Sequence, residues 1–208
     1  MAGTFILGET KIRPGAYFNI RKKGGNDSVI MNGVTAVIFR ADFGPLNTAV
    51  ELDAADGYSH IFGDGLTTDA IREAAAGGAK KIIACRVGNG GSCGAITLKG
   101  TGNEDVLTIT AKYPGAKGFT ATVRNKLSNP DLRECIFYSG TTEFEKAEFA
   151  AGLGEAKALA DALASSRNFN AKLKEGKGDA LMEAISQGAF TEGANPEATV
   201  ADYSNAFA

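Results

Sequence analysis

Tryptophan is absent from this 208-residue chain, histidine occurs once and cysteine three times. The shortages are informative. A lone His60 cannot complete a zinc set with Cys85, Cys93 and Cys135, which are irregularly spaced and contain no C-x-x-C pair. The odd cysteine count reads as reduced thiols, with Cys85 a small hydrophobe inside an apolar strand and Cys93 in a glycine-rich loop. No apolar run approaches the ~20 residues that span a bilayer, so membrane insertion is not expected. The opening Met1-Ala-Gly-Thr-Phe-Ile-Leu lacks the charged leader of a secretory signal, which predicts folding in a cytoplasm. A net charge of -2 provides no general basic surface for nucleic acid.

Glycine, by contrast, is abundant, 27 residues, about double its average share. It clusters between alternating apolar runs and predicts many turns in a strand-rich protein. Val34–Phe39 is a continuous β-branched run that reads as a buried strand, followed by a turn at Phe43-Gly-Pro-Leu46 and a short strand over Ala49–Leu52. Thr67 or Thr68 is placed to cap a helix over Asp69–Ala76, which Gly77-Gly78 stops. Lys81–Val87 follows as a second buried strand, completing an α/β unit.

The pattern changes after Gly88. Ala95–Leu98, Val106–Ala111, Phe119–Val123, Leu132–Tyr138 and Thr142–Phe149 are strand-length runs separated by turns, the spacing of an antiparallel β-sandwich. Strand alternation puts Phe144 and Phe149 on opposite faces. Glu155–Ala164 reads as a helix with Leu159 and Leu163 on one face. Phe169, Ala171 and Leu173 alternate, Glu175–Gly178 offers a hairpin turn, and Leu181–Ile185 fits strand or helix, with the preceding turn favouring a strand. Thr199 and Asp202 form a capping-box start to a helix with Val200, Tyr203 and Phe207 on its apolar side. The short closing helix predicts that the chain is the N-terminal part of a longer protein.

Candidate chemistry is sparse. The loop Gly88-Asn-Gly-Gly-Ser-Cys-Gly94 follows a strand but lacks the Lys-Ser/Thr of a P-loop and leads into another strand, so it reads as a domain-crossing hinge. No nucleophile elbow accompanies His60. Asp53, Asp56 and Asp64 do not have calcium-loop spacing and read as a solvated acidic surface. Neither a catalytic constellation nor a cofactor or metal site is expected.

The N-terminal 26 residues are different in kind. Arg13-Pro14-Gly15 is a turn-forming break, and Ala16-Tyr17-Phe-Asn-Ile20 after it favours an extended strand. Lys11, Arg13, Arg21, Lys22 and Lys23 face a single acid, Glu9. A charged, strand-prone arm outside any core is suited to backbone pairing with another chain. Its candidate assembly residues are Arg13, Pro14, Gly15, Tyr17, Arg21, Lys22 and Lys23.

These elements together resemble contractile phage tail sheath proteins of Gram-positive phages and phage-like elements. The resemblance rests on Arg13-Pro-Gly-Ala-Tyr17, the strand from Gly33, the Asp42-Phe-Gly-Pro45 turn, the run Ala70–Val87 with its Gly-Gly-Ala-Lys and terminal arginine, and Leu107–Gly118 with Ala-Lys-Tyr-Pro-Gly. It implies an α/β plus all-β fold: an arm at 1–26, the first part of an α/β sheath domain at 27–93, an inserted antiparallel β-sandwich at 94–191, and a return into the α/β domain at 192–208. It further implies a structural subunit, not an enzyme, that polymerises as stacked rings around a tail tube and contracts to drive the tube through a host envelope. The implied partners are other sheath subunits, the tail tube protein and the baseplate, and the implied location is the virion tail, assembled in the host cytoplasm. Members of the family continue beyond this point, completing the α/β domain and ending in a C-terminal arm. The competing expectations are a small-ligand-binding α/β enzyme with a β-sandwich accessory domain, using the 88–94 loop, and a surface adhesin module.

Overall fold

The computed structural model describes residues 33–53 and 57–206, and the stretch from Gly33 onward belongs to one compact unit. Three sheets and four helices make up its described part. The first sheet is built from β1 (Val34–Phe39), β2 (Ala49–Asp53) and β3 (Lys81–Arg86) in the order β1-β3-β2. β1 and β3 run parallel, joined through α1 (Ser59–Phe62) and α2 (Asp69–Ala76), while β2 lies antiparallel to β3. The parallel pair with its helical crossover is the α/β unit expected from the sequence.

One face of this sheet carries the core. Val37, Phe39, Leu52, Ile82 and Ala84 are buried with Phe62 of α1 and Ile71 of α2, and Phe39 meets Phe62 edge-on at 4.9 Å. The expectation that all of Val34–Phe39 is buried is corrected. Val34, Thr35 and Ala36 are exposed, because among the described residues β1 is an outer strand and no element covers its first half. The cap of α2 is also different. Thr67 uses its hydroxyl on the Arg40 backbone and Thr68 donates to the Gly65 carbonyl, so neither side chain caps the helix.

The second region contains β4 (Ala95–Lys99), β5 (Asp105–Ala111), β6 (Thr120–Asn125), β7 (Leu132–Ser139), β8 (Thr142–Ala150), α3 (Glu155–Leu163), β9 (Phe169–Leu173) and β10 (Ile185–Ala189). They form two antiparallel sheets, β10-β6-β7-β8 and β4-β5-β9, around a single core. α3 packs against β8 and β9 and buries Leu159 and Leu163 as expected. Phe119, Phe137, Phe169 and Phe190 interlock here, with Phe137 stacked on Phe169 at 4.0 Å.

Three local expectations fail for one reason each. Phe144 does not face away from Phe149. Phe137 pairs with Glu145 and Tyr138 with Glu143, so Phe144 is an extra residue in β8, and this bulge turns it onto the same core. The turn around Gly176 does not close a hairpin, since β9 pairs with β5 while β10 joins the other sheet. The strand placed at Leu181–Ile185 begins at Ile185 instead, and Met182 makes only an isolated bridge to Gly100.

A buried ion pair orders this end of the core. Arg133 Nη1 donates to Glu155 at 2.6 Å and to the Met182 carbonyl at 2.7 Å. Glu155 also accepts from the backbone N–H groups of Met182 and Gly152, which serves the start of α3 where Gly154 provides no side-chain cap. Finally, α4 (Val200–Ala206) opens with the capping box read from the sequence: Thr199 N–H donates to Asp202 at 2.7 Å. Its Val200 remains exposed, and Phe207 lies outside the described residues.

Candidate functional site

The assembly residues singled out in the sequence, Arg13, Pro14, Gly15, Tyr17, Arg21, Lys22 and Lys23, lie outside the described residues. What the structure does define is the junction between the first sheet and the antiparallel region. At its centre is Arg86, the last residue of β3. It shares strand parity with Ile82 and Ala84 and therefore points inward, where it is 1% exposed.

Its guanidinium is held by carbonyls. Nε donates to Ala41 at 3.1 Å, Nη1 to Gly44 at 2.7 Å and Nη2 to Pro114 at 2.8 Å. Two of these acceptors belong to the turn after β1 and one to the loop after β5, so a single side chain fastens both regions. Burial lowers the guanidinium pKa to about 10, and nearby Asp42 opposes the shift. Arg86 therefore keeps its charge at neutral pH. Burial likewise raises the Asp42 pKa, against the pull of Lys117.

The same turn inserts an apolar pin. Phe43 is 1% exposed and sits edge-on to Tyr113 at 5.5 Å, Phe119 at 5.1 Å and Phe144 at 5.8 Å. Phe43 thus belongs by sequence to the α/β unit and by packing to the antiparallel core. Backbones press together around it. The Lys117 N–H donates to the Asp42 carbonyl, and a side chain at Gly115 would collide with that carbonyl oxygen.

The loop at Gly88–Gly94 is consequently no free hinge. Asn89 pairs with Glu197 and Ser92 with Ala194 in antiparallel bridges, each with reciprocal N–H to carbonyl bonds. Gly91 has φ 81°, and a β-carbon there would lie 2.6 Å from the Ala194 carbonyl. The glycines serve a close crossing of two chain passages. The N–H groups of Asn89 and Ser92 are already donated, which removes them from any phosphate cradle.

A cleft of about 770 Å³ opens beside the junction, lined by Pro45, His60, Lys112, Tyr113, Phe144 and Arg167 among others. His60 stacks near Phe144 at 5.9 Å. Its role in that stack is packing of one ring on another. Asp64 is exposed and lies 3.9 Å from Lys117. Among the described residues no three His, Cys, Asp or Glu side chains converge as a metal set, and no helix is long and apolar enough to cross a membrane. Of the cysteines, Cys135 is the fully buried one, its thiol pushed up to about 12 by burial, whereas Cys85 and Cys93 are half-buried.

Sequence reasoning read Arg86 only as part of a family-like run and missed its role. The available signal was a charge at an inward strand position. Arg133 offered the same signal, since it shares strand parity with the buried Cys135 and Phe137, but nothing in the sequence pointed to Glu155 as its partner.

The fold defined by these elements is a mixed α/β and antiparallel architecture found in sheath tail proteins. The crystal structure of the sheath tail protein of Listeria innocua matches it with a TM-score of 0.64 at 18% identity, over 84% of this chain and 37% of that one. The sheath tail protein of Desulfitobacterium hafniense matches with a TM-score of 0.59 at 17% identity, over 92% of this chain and 41% of that one. The chain therefore spans about two fifths of the length of these structural relatives. No family model and no curated protein matches the sequence.

Proposed function

We propose that this chain is the N-terminal part of a contractile tail sheath subunit, a structural component and not an enzyme. The observation that carries the reading is the shared fold with the two sheath tail proteins, across most of this chain. On this reading the two antiparallel sheets are the β-sandwich inserted at 94–191, and 27–93 with 192–208 are portions of the α/β sheath domain. The arm at 1–26 links neighbouring subunits by adding backbone hydrogen bonds, with Pro14 and Gly15 setting its turn and Tyr17 opening its strand. Arg13, Arg21, Lys22 and Lys23 steer it to a neighbour. The subunits form rings around a tube and contract by repacking, which requires no cofactor. Tube protein and baseplate are the remaining partners, in a phage or prophage-derived contractile injection particle.

Electron microscopy of the longest natural form of the protein tests this. Tubes are the expected product, and deletion of residues 1–23 is expected to abolish them while leaving the circular-dichroism spectrum native. Absence of tubes from the undeleted protein refutes the sheath function; normal tubes from the deletion refute the role of the arm.

A further inference from the structure

The two antiparallel sheets differ sharply on their outer faces. On the four-stranded sheet the charges are paired off: Arg124 with Glu134, Lys126 with Glu148, and Lys146 with Glu148. On the three-stranded sheet, alternation turns Ala95, Thr97 and Lys99 of β4 outward, together with Thr108 and Thr110 of β5 and Asn170 and Lys172 of β9. Lys112 continues β5 and Lys174 continues β9, both exposed and both still bonded across the strands, to the Asn168 and Val106 carbonyls.

This face therefore carries four lysines and one carboxylate, Asp105, which Lys99 already engages. Lys174 adds a weaker electrostatic attraction to the same Asp105 and Lys112 Nζ donates to the Ser166 carbonyl at 3.4 Å, but no carboxylate forms an ion pair with Lys112, Lys172 or Lys174 among the described residues. Thr97 and Thr108 share a hydroxyl hydrogen bond at 3.2 Å between them, leaving a flat, polar, cationic platform on a rigid sheet.

The complementary surface is on the same molecule. From Gly178 to Ala208 the chain has five acids, Asp179, Glu183, Glu192, Glu197 and Asp202, and no lysine or arginine. Glu192 and Glu197 are exposed on the return segment, and neither makes an ion pair among the described residues. Glu197 is anchored through its backbone bridge to Asn89, so its side chain is held on a fixed element.

We infer that the outer face of the β4-β5-β9 sheet is a docking surface for a second copy of this chain, contacting the acidic return segment around Glu192 and Glu197. The contact is heterologous: each copy offers a cationic face to one neighbour and an acidic segment to another, which generates rings or helical filaments. It rests on the sheath reading for its biological setting but not for its chemistry. Exposed ion pairs are individually weak, so the association is modest and strongly salt-dependent.

Sedimentation equilibrium of the 208-residue chain at ~0.01 M salt, where the Debye length is ~30 Å, and at ~1 M, where it is ~3 Å, tests the inference. Concentration-dependent association at low salt and its loss at high salt are expected. Lys112→Glu/Lys172→Glu/Lys174→Glu is expected to weaken self-association roughly tenfold or more. Glu192→Lys/Glu197→Lys should do the same. Mixing the two variants should restore extended association with the copies alternating, because the native pair of surfaces and the charge-reversed pair are both complementary. Combining all five changes in one chain should restore association. Melting curves matching the parent confirm that the variants fold.

A wild-type chain that stays monomeric at low salt overturns the inference, as does lysine-to-glutamate protein that associates like wild type. Tight binding of polyphosphate to the cationic face without self-association assigns that face to a polyanion instead. Each of these outcomes leaves the tube-forming test of the sheath function unaffected.

Discussion

The α/β unit and the antiparallel region are both built on sheets, yet they bury their side chains differently. Among the described residues only one face of the first sheet is covered, β1 and β2 are its outer strands, and Val34 is 53% exposed. In the antiparallel region two sheets and α3 enclose a core in which Val106, Leu107, Ile109, Phe137, Leu159 and Phe169 have no exposure. An apolar β-branched run thus means different things in the two places. It marks a strand in both, but full burial requires a layer on each side.

The largest test of that contrast is a pair of substitutions. Phe169→Ala removes a ring stacked on Phe137 and in contact with Phe119 and Phe190, and is expected to cost about 3–5 kcal/mol. Val34→Ala, at an exposed edge position, should change stability by no more than about 0.5 kcal/mol. Urea unfolding measures both. Similar losses from the two would mean that β1 is covered far more fully than its exposure implies.

Phe43→Ala attacks the link between the regions. Its ring contributes to the antiparallel core, while its backbone belongs to the turn that Arg86 holds. The expected loss is again a few kcal/mol, toward the lower end of about 3–5, since the site borders an open cleft. Hydrogen exchange sharpens the point. Amides of β3 and of β5 should both lose protection, because the junction couples them. Loss confined to β5 and β6 would show that the Arg86 carbonyl bonds alone hold the first sheet in place.

Much of this organisation was legible in the residues. Asp69–Ala76 matches α2 to the residue because an alanine-rich run is followed by two glycines that end it, although the expected threonine side-chain cap is not made. The change from an α/β pattern to short strands after Gly88 was readable from alternation alone. The failures came from pairing and register, which residue type alone does not announce. Nothing near Phe144 announces the bulge, which is set by the register of β7 against β8. The glycines of 88–94 look like a flexible loop until Ala194 and Glu197 are brought beside them, at which point their small size explains a tight crossing. The junction was illegible for the same reason, since Arg86 finds its acceptors 28 to 45 residues away.

The smallest expected effect concerns α4, a helix with no buried residue. Its order depends on local bonds, chiefly those between Thr199 and Asp202. The Thr199 backbone N–H and then its hydroxyl hold the Asp202 carboxyl below the ordinary carboxylate range. A depressed pKa in the folded state means that the carboxylate stabilises the helix start above the ordinary value and that this contribution disappears as pH falls through the folded one. Protection of the Asp202 and Tyr203 amides, which both donate to the Thr199 carbonyl, should therefore be present at neutral pH and be lost only in acid below the ordinary carboxylate value. Asp202→Asn should reproduce part of that loss at neutral pH, because an amide oxygen still accepts from Thr199 but without charge. The melting temperature should hardly move, since α4 adds nothing to either core. A cooperative drop in global stability on Asp202→Asn would place α4 inside the folded core and erase the distinction between a sheet region left open on one face and a region closed on all sides.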